Sequence, residues 1–122
     1  MLYFAYGMNT NSKKMSKSSK RLGPATLLYY TIEMLQYANI IEDKNGHING
    51  ILWDIDEKEL ARLDKREGYP TCYNRILGIV KHNGENKIAW IYYMTNEYRE
   101  KAKKKSPTKE YIDMITEGFN EK

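Results

Sequence analysis

The sequence predicts an α+β fold in which helices flank a curved, barrel-like antiparallel sheet. Three observations predict it. Runs rich in Ile, Leu and Tyr are separated by turn signals, among them two Asn-Gly dipeptides, Asn45-Gly46 and Asn83-Gly84. Two later segments carry helix caps followed by apolar residues three or four positions apart. No Gly-x-Gly-x-x-Gly and no phosphate-binding loop marks a parallel nucleotide-binding sheet.

The chain opens with Leu2 to Tyr6, a short apolar strand broken at Gly7. Asn9 to Arg21 is polar and rich in Ser and Lys, so it reads as a loop or a short exposed helix. Gly23-Pro24 is a turn signal. Ala25 to Leu35 is apolar and Tyr-rich and reads as a strand, with a helix as the alternative, and Tyr37 to Ile41 continues extended. Asp43 to Gly46 reads as a hairpin turn, because Asn-Gly tolerates positive φ. Ile48 to Ile55 is the next strand, with Gly50 as a bulge or close-approach point. Asp56 then caps a helix over 57–66, with Glu59 three residues on, Leu60 and Leu63 on one face and Gly68 as the stop. Tyr73 to Lys81 and Lys87 to Tyr93 form a hairpin through Asn83-Gly84. Ser106 as cap and Pro107 as first helical residue start a helix over 108–118 whose stripe is Ile112, Ile115 and Phe119.

With 122 residues, one domain is expected, and no repeat or linker divides the chain. Apolar residues make up 41%, enough for one core, and charged residues make up 30%. No apolar run approaches the ~18 residues of a membrane span, and the apolar start lacks the basic lead of a signal peptide. A lone Cys72 excludes an internal disulfide and fits a reducing, cytoplasmic location. One Cys and two His residues cannot build a Cys/His zinc site. The net charge is +4, with Lys13, Lys14, Lys17, Lys20 and Arg21 in one cluster and Arg99 to Lys105 in another. These read as solvated faces. A nucleic-acid role would rest on charge alone, and nucleic acid is not expected as a partner.

One carboxylate stands apart. Glu67 lies in "LDKREGYP", where the helix stops. From this stretch alone it reads first as an ordinary surface glutamate. A carboxylate at a helix C-terminus, however, meets the negative end of the macrodipole. That raises its hold on a proton and suits a general acid or base.

Two stretches taken together resemble the gamma-glutamylcyclotransferase-like (AIG2-like) proteins. The family's opening motif, Tyr-x-x-Tyr-Gly-Ser-Asn, matches Tyr3, Tyr6, Gly7 and Asn9. Its central Leu-Asp-x-x-Glu-Gly followed by Tyr-x-Arg matches Leu63, Asp64, Glu67 and Gly68, then Tyr73 and Arg75. "HINGILWDI", "YYMTN" and "SPTKEYIDMITEGF" resemble three further family segments in the right order, so the resemblance covers nearly the whole chain. It implies a small antiparallel or mixed β-barrel with flanking helices, whose cavity takes a γ-glutamyl group. It implies an enzyme that releases 5-oxoproline by attack of the substrate's α-amine on its γ-carbonyl, with no metal or cofactor. Glu67 falls at the position of the family's catalytic acid. Tyr3, Phe4, Ala5, Tyr6, Gly7, Met8 and Asn9 would form the binding strand and loop, with Tyr73, Tyr92 and Tyr111 as cavity tyrosines. For those three, core packing stands beside the binding role.

The sequence departs from the family at Met8, where Ser is usual, and at Thr10, where an apolar residue is common. A loop acting through its backbone N–H groups tolerates Met8, and glycine lets a ligand reach those groups. A role for the Ser hydroxyl would not survive the change. The alternative to the enzyme is therefore a module of the same fold that sequesters a small metabolite without turnover.

Overall fold

The computed structural model describes residues 1–121. Five strands close into a barrel: β1 (Leu2–Ala5), β2 (Lys20–Met34), β3 (Ala38–Asp54), β4 (Tyr73–His82) and β5 (Glu85–Met94), in the order β1-β3-β2-β4-β5. Neighbours are antiparallel except β1 and β5, which meet in parallel at Tyr3 and Trp90 and complete the closure. Three helices flank it: α1 (Glu57–Glu67), α2 (Asn96–Ala102) and α3 (Lys109–Phe119). The expected barrel with flanking helices is what the chain forms.

The two-residue period of a strand sorts side chains to opposite faces. Phe4, Leu27, Leu52, Val80 and Ile91 pack together from the strands and fill the barrel. Tyr3, Trp53, Tyr92 and Met94 alternate with them and pack outward with Leu63 of α1 and Ala102 of α2. Gly50 is a close-approach point: a Cβ there would lie 2.4 Å from the Ala5 carbonyl oxygen.

The two Asn-Gly dipeptides part company. Asn83 and Gly84 have φ of 51° and 78° and turn the β4–β5 hairpin between paired residues His82 and Glu85. Asn45-Gly46 does not turn the chain. β3 runs straight through it, and residues 43–46 bulge opposite Tyr29 as the register shifts between Leu28 and Tyr30. The β2–β3 hairpin instead turns at Leu35 to Tyr37, because β-branched residues on both sides, Ile32 with Ile40 and Thr31 with Ile41, keep pairing past the polar segment. Gly23-Pro24 likewise lies inside β2, at a bulge where Gly23 takes φ of 105°.

α1 follows its signals. Asp56 accepts from the Glu59 N–H at 2.8 Å, and Gly68 closes the helix in the left-handed region. α3 departs from them by two residues at its start: Thr108, not Ser106, caps it through the Tyr111 N–H. Its inner face is Tyr111, Met114, Ile115 and Gly118, one step round from the expected stripe, so Ile112 and Phe119 are exposed. α2 was not expected. Thr95 caps it, and Arg99 forks onto Glu33 of β2. The Ser/Lys-rich stretch after β1 also differs from the exposed loop or helix expected. It forms two single 3-10 turns, Met8–Thr10 and Ser12–Lys14, and Asn9, Thr10 and Asn11 are buried, the last two against α3. Gly118 allows this closeness, since a Cβ there would meet Thr10 Oγ1 at 2.3 Å.

Candidate active site

A cavity of about 390 Å³ opens on the helix-bearing side of the barrel, within the range of small-ligand sites. Three parts of the chain that are far apart in sequence build it. The 3-10 turn after β1 supplies Gly7, Met8 and Asn9. The last turn of α1 supplies Lys65, Arg66 and Glu67. Seven tyrosines from all sides form the wall.

Glu67 is half-buried at the floor of this group. Burial pushes its carboxyl above the ordinary range, against the pull of the Arg66 cation and a hydrogen bond from Asn9. Asn9 Nδ2 donates to Glu67 Oε1 at 3.1 Å and to the Tyr3 hydroxyl at 2.8 Å. The Asn9 amide oxygen faces the Arg66 guanidinium, which also donates to the Lys14 carbonyl at 2.7 Å. Burial raises the phenols of Tyr3, Tyr6, Tyr73 and Tyr92, and pushes Tyr111 up to about 12.

The tyrosines are pinned rather than free. Tyr6 donates to the Tyr92 carbonyl at 2.7 Å, and Tyr73 donates to the Ala38 carbonyl at 3.1 Å. Tyr111 accepts from the Ala38 N–H at 2.9 Å. Tyr92 donates to Asp64 at 2.6 Å, and Asp64 takes a two-pronged ion pair from Arg75. Arg75 in turn sits over the rings of Tyr69 and Trp90. Gly7 is placed where a Cβ would come within 2.9 Å of the Tyr111 hydroxyl.

Of the residues singled out in the sequence, Glu67, Tyr3, Tyr6, Gly7, Met8, Asn9, Tyr73, Tyr92 and Tyr111 all line this cavity. Phe4 and Ala5 do not. Phe4 faces the filled barrel because it alternates with Tyr3, and Ala5 is covered by packing. Sequence reasoning passed over Arg66, Tyr37 and Tyr98. Arg66 had a signal in its place beside Glu67; Tyr37 and Tyr98 had none, because a hairpin tip and an unforeseen helix bring them in. Among the described residues, no three His, Cys, Asp or Glu side chains stand together in a group that could hold a metal ion. Among the same residues, no helix is long and apolar enough to cross a membrane.

A family model described as "Gamma-glutamyl cyclotransferase, AIG2-like" matches residues 3–113. The chain belongs to this family. A Methanocaldococcus jannaschii protein with the provisional name gamma-glutamylcyclotransferase is 38% identical over 63 residues. That match spans 47% of this chain and 52% of the relative, about half the length of each. A solved gamma-glutamyl cyclotransferase superposes with a TM-score of 0.72 at 22% identity, over 95% of this chain and 98% of the other. A mouse AIG2-like protein does so with a TM-score of 0.66 at 18% identity, over 80% and 81%. At those identities the two superpositions establish the shared cyclotransferase fold. The motif that carries Glu67 lies inside the span matched by the family.

Proposed function

We propose that this gamma-glutamyl cyclotransferase-like protein releases 5-oxoproline from a γ-glutamyl compound, with Glu67 as the general acid and base. One observation carries the reading: Glu67, whose carboxyl burial pushes above the ordinary range, lines one tyrosine-walled cavity with the glycine-bearing turn. In this reading the substrate's α-ammonium gives a proton to Glu67, and the freed amine attacks the γ-carbonyl carbon. A C–N bond forms to close the five-membered lactam, and the bond from that carbon to the leaving nitrogen breaks. Glu67 returns the proton to the leaving nitrogen. When the leaving amine departs as an ammonium ion, two protons have passed in all from the attacking to the leaving nitrogen. General acid–base work of this kind is worth ~10²–10⁴-fold. Ring closure is intramolecular, so a cavity that folds the chain into its near-attack shape contributes heavily as well.

The N–H groups of the turn around Gly7 and Met8 are assigned to the substrate carboxylate or the developing oxyanion. This works through the backbone and so accommodates Met8. Tyr3, Tyr6, Asn9, Tyr73, Tyr92 and Tyr111 are assigned to holding the γ-glutamyl group.

The test is a mass-spectrometric screen for 5-oxoproline across γ-glutamyl amino acids, γ-glutamylamines, γ-glutamyl-ε-lysine and glutathione. Wild type is expected to turn over at least one. Glu67→Gln, which keeps shape but cannot take the proton, is expected to lose ~10²-fold or more in kcat with little change in binding. Equal rates would remove Glu67 from the chemistry. Ligand binding by the wild type without turnover on any compound would instead establish the sequestering module.

A further inference from the structure

The geometry points to Arg66 and Asn9 as a positioning pair: the guanidinium fixes which face of the Asn9 amide Glu67 meets, and so holds Glu67 ready as a carboxylate. The inference rests on the reading of Glu67 as the proton carrier and names what tunes it.

An asparagine amide has two unlike ends, an acceptor oxygen and a donor nitrogen, that differ little in shape. Which end faces Glu67 decides which protonation state is favoured. A donor N–H stabilises the carboxylate, whereas an acceptor oxygen would favour the protonated acid. Asn9 is buried, so water does not settle the choice. Arg66 settles it. A guanidinium carries only donors, so the end that faces it must be the oxygen, and Nδ2 is turned toward Glu67 Oε1 and the Tyr3 hydroxyl. Arg66 is itself anchored by its bond to the Lys14 carbonyl, so the fork arrives in one orientation.

The other groups around the cavity cannot supply this. Tyr3 approaches from β1 and Tyr6 from just after it, Tyr37 from the hairpin tip, Tyr73 and Tyr92 from β4 and β5, Tyr98 from α2 and Tyr111 from α3. Lys65 and Cys72 complete the titratable groups that line the cavity. Asp64 on α1 is occupied by Arg75 and Tyr92. Asn9 alone among the described residues hydrogen-bonds the Glu67 carboxyl. Two positions on one helix turn thus divide the work: Glu67 carries the proton, and its neighbour sets, through a residue 57 positions away, how it is held.

The experiment reads Glu67 directly by NMR titration of its side-chain carboxyl carbon, and in parallel the acid limb of 5-oxoproline release. Arg66→Met removes both charge and lock, so a double-mutant cycle with Asn9→Leu separates them. The lock requires Arg66→Met to raise the Glu67 midpoint more when Asn9 is present, by about half a pH unit, or threefold in its acid constant. Equal shifts in both backgrounds would leave Arg66 a plain counter-charge and overturn the inference. Should either variant fail to fold, Arg66→Gln and Asn9→Ala replace them in the same cycle, because an uncharged amide offers donor and acceptor alike and imposes neither end on Asn9. The lock again requires the larger rise when Asn9 is present, and equal shifts in both backgrounds overturn it. Midpoints that couple as expected while wild type turns over no γ-glutamyl compound would uphold the lock and refute the catalytic reading.

Discussion

At Glu67, burial and function pull in opposite directions. The folded carboxyl holds its proton above the ordinary value of 4.5, so the native state binds more protons than the unfolded chain between the two values. Stability contributed by this group therefore rises as pH falls through that window, and above it the buried charge is a net liability. Glu67→Gln is expected to melt no lower than wild type at pH 7.5, and to lose its advantage at pH 4, in thermal unfolding at both values. A glutamate kept for packing would give the opposite result, a lower melting point with activity retained. Gly7 makes the second residue-scale case. Its absent Cβ leaves room for the Tyr111 hydroxyl, which is tied to the Ala38 N–H. Gly7→Ala is expected to break that tie at a cost of about 1 kcal/mol and to raise KM more than it lowers kcat. Unchanged KM on a substrate that wild type turns over would dissociate Gly7 from binding.

The two Asn-Gly dipeptides show how an element overrides a local signal. Gly84 needs its positive φ, so Gly84→Ala is expected to cost about 1 kcal/mol in denaturant unfolding. Gly46 has no such φ, but a Cβ there would lie 2.6 Å from the Tyr30 carbonyl oxygen. Gly46→Ala should therefore cost more, about 1–3 kcal/mol, by displacing backbone. If Gly84→Ala proves the costlier of the two, the bulge is not rigid. α1 shows a second override. Asp56 caps the Glu59 N–H, but the Glu59 side chain does not reach back to complete a reciprocal capping box, because it turns away from the helix start. Burial pushes its carboxyl up, but bonds from Arg62, the Ser16 N–H and Ser19 outweigh that and hold it at about 2. Glu59 thus ties α1 to the chain entering β2.

On the scale of the whole molecule, two carboxylates clamp helices to distant parts of the chain. Glu59 clamps α1, and Glu33 clamps α2. Arg99 is the main reason Glu33 also stands at about 2. Both folded values lie below the ordinary 4.5, so their stabilisation is complete above that value and is lost as pH falls toward 2. Acid unfolding is expected to steepen between pH 4.5 and 2, and Glu33→Gln should flatten it there, by circular dichroism. An identical acid profile in that variant would remove Glu33 from the clamp. The helices matter because the cavity lies between them and the barrel. The filled bore is not the site.

What the sequence by itself determined was whatever depends on near neighbours. The β4–β5 hairpin, α1 with its Asp56 cap and Gly68 stop, and the close approach at Gly50 were all legible, because a cap, a stop or a turn acts within a few residues. The motifs around Gly7 and Glu67 were legible through their resemblance to a family. Tertiary structure decided the rest. It ran β3 through Asn45-Gly46, because pairing along a long hairpin outweighs one turn signal. It buried Thr10 and Asn11 under α3, because Gly118 admits the backbone that closely. It formed α2 from a charge-rich segment, because Glu33 stands 66 positions away to receive Arg99. Above all it joined Arg66, Asn9 and Glu67. An amide's orientation is set by the charges it meets in space, and no spacing along the chain encodes that meeting.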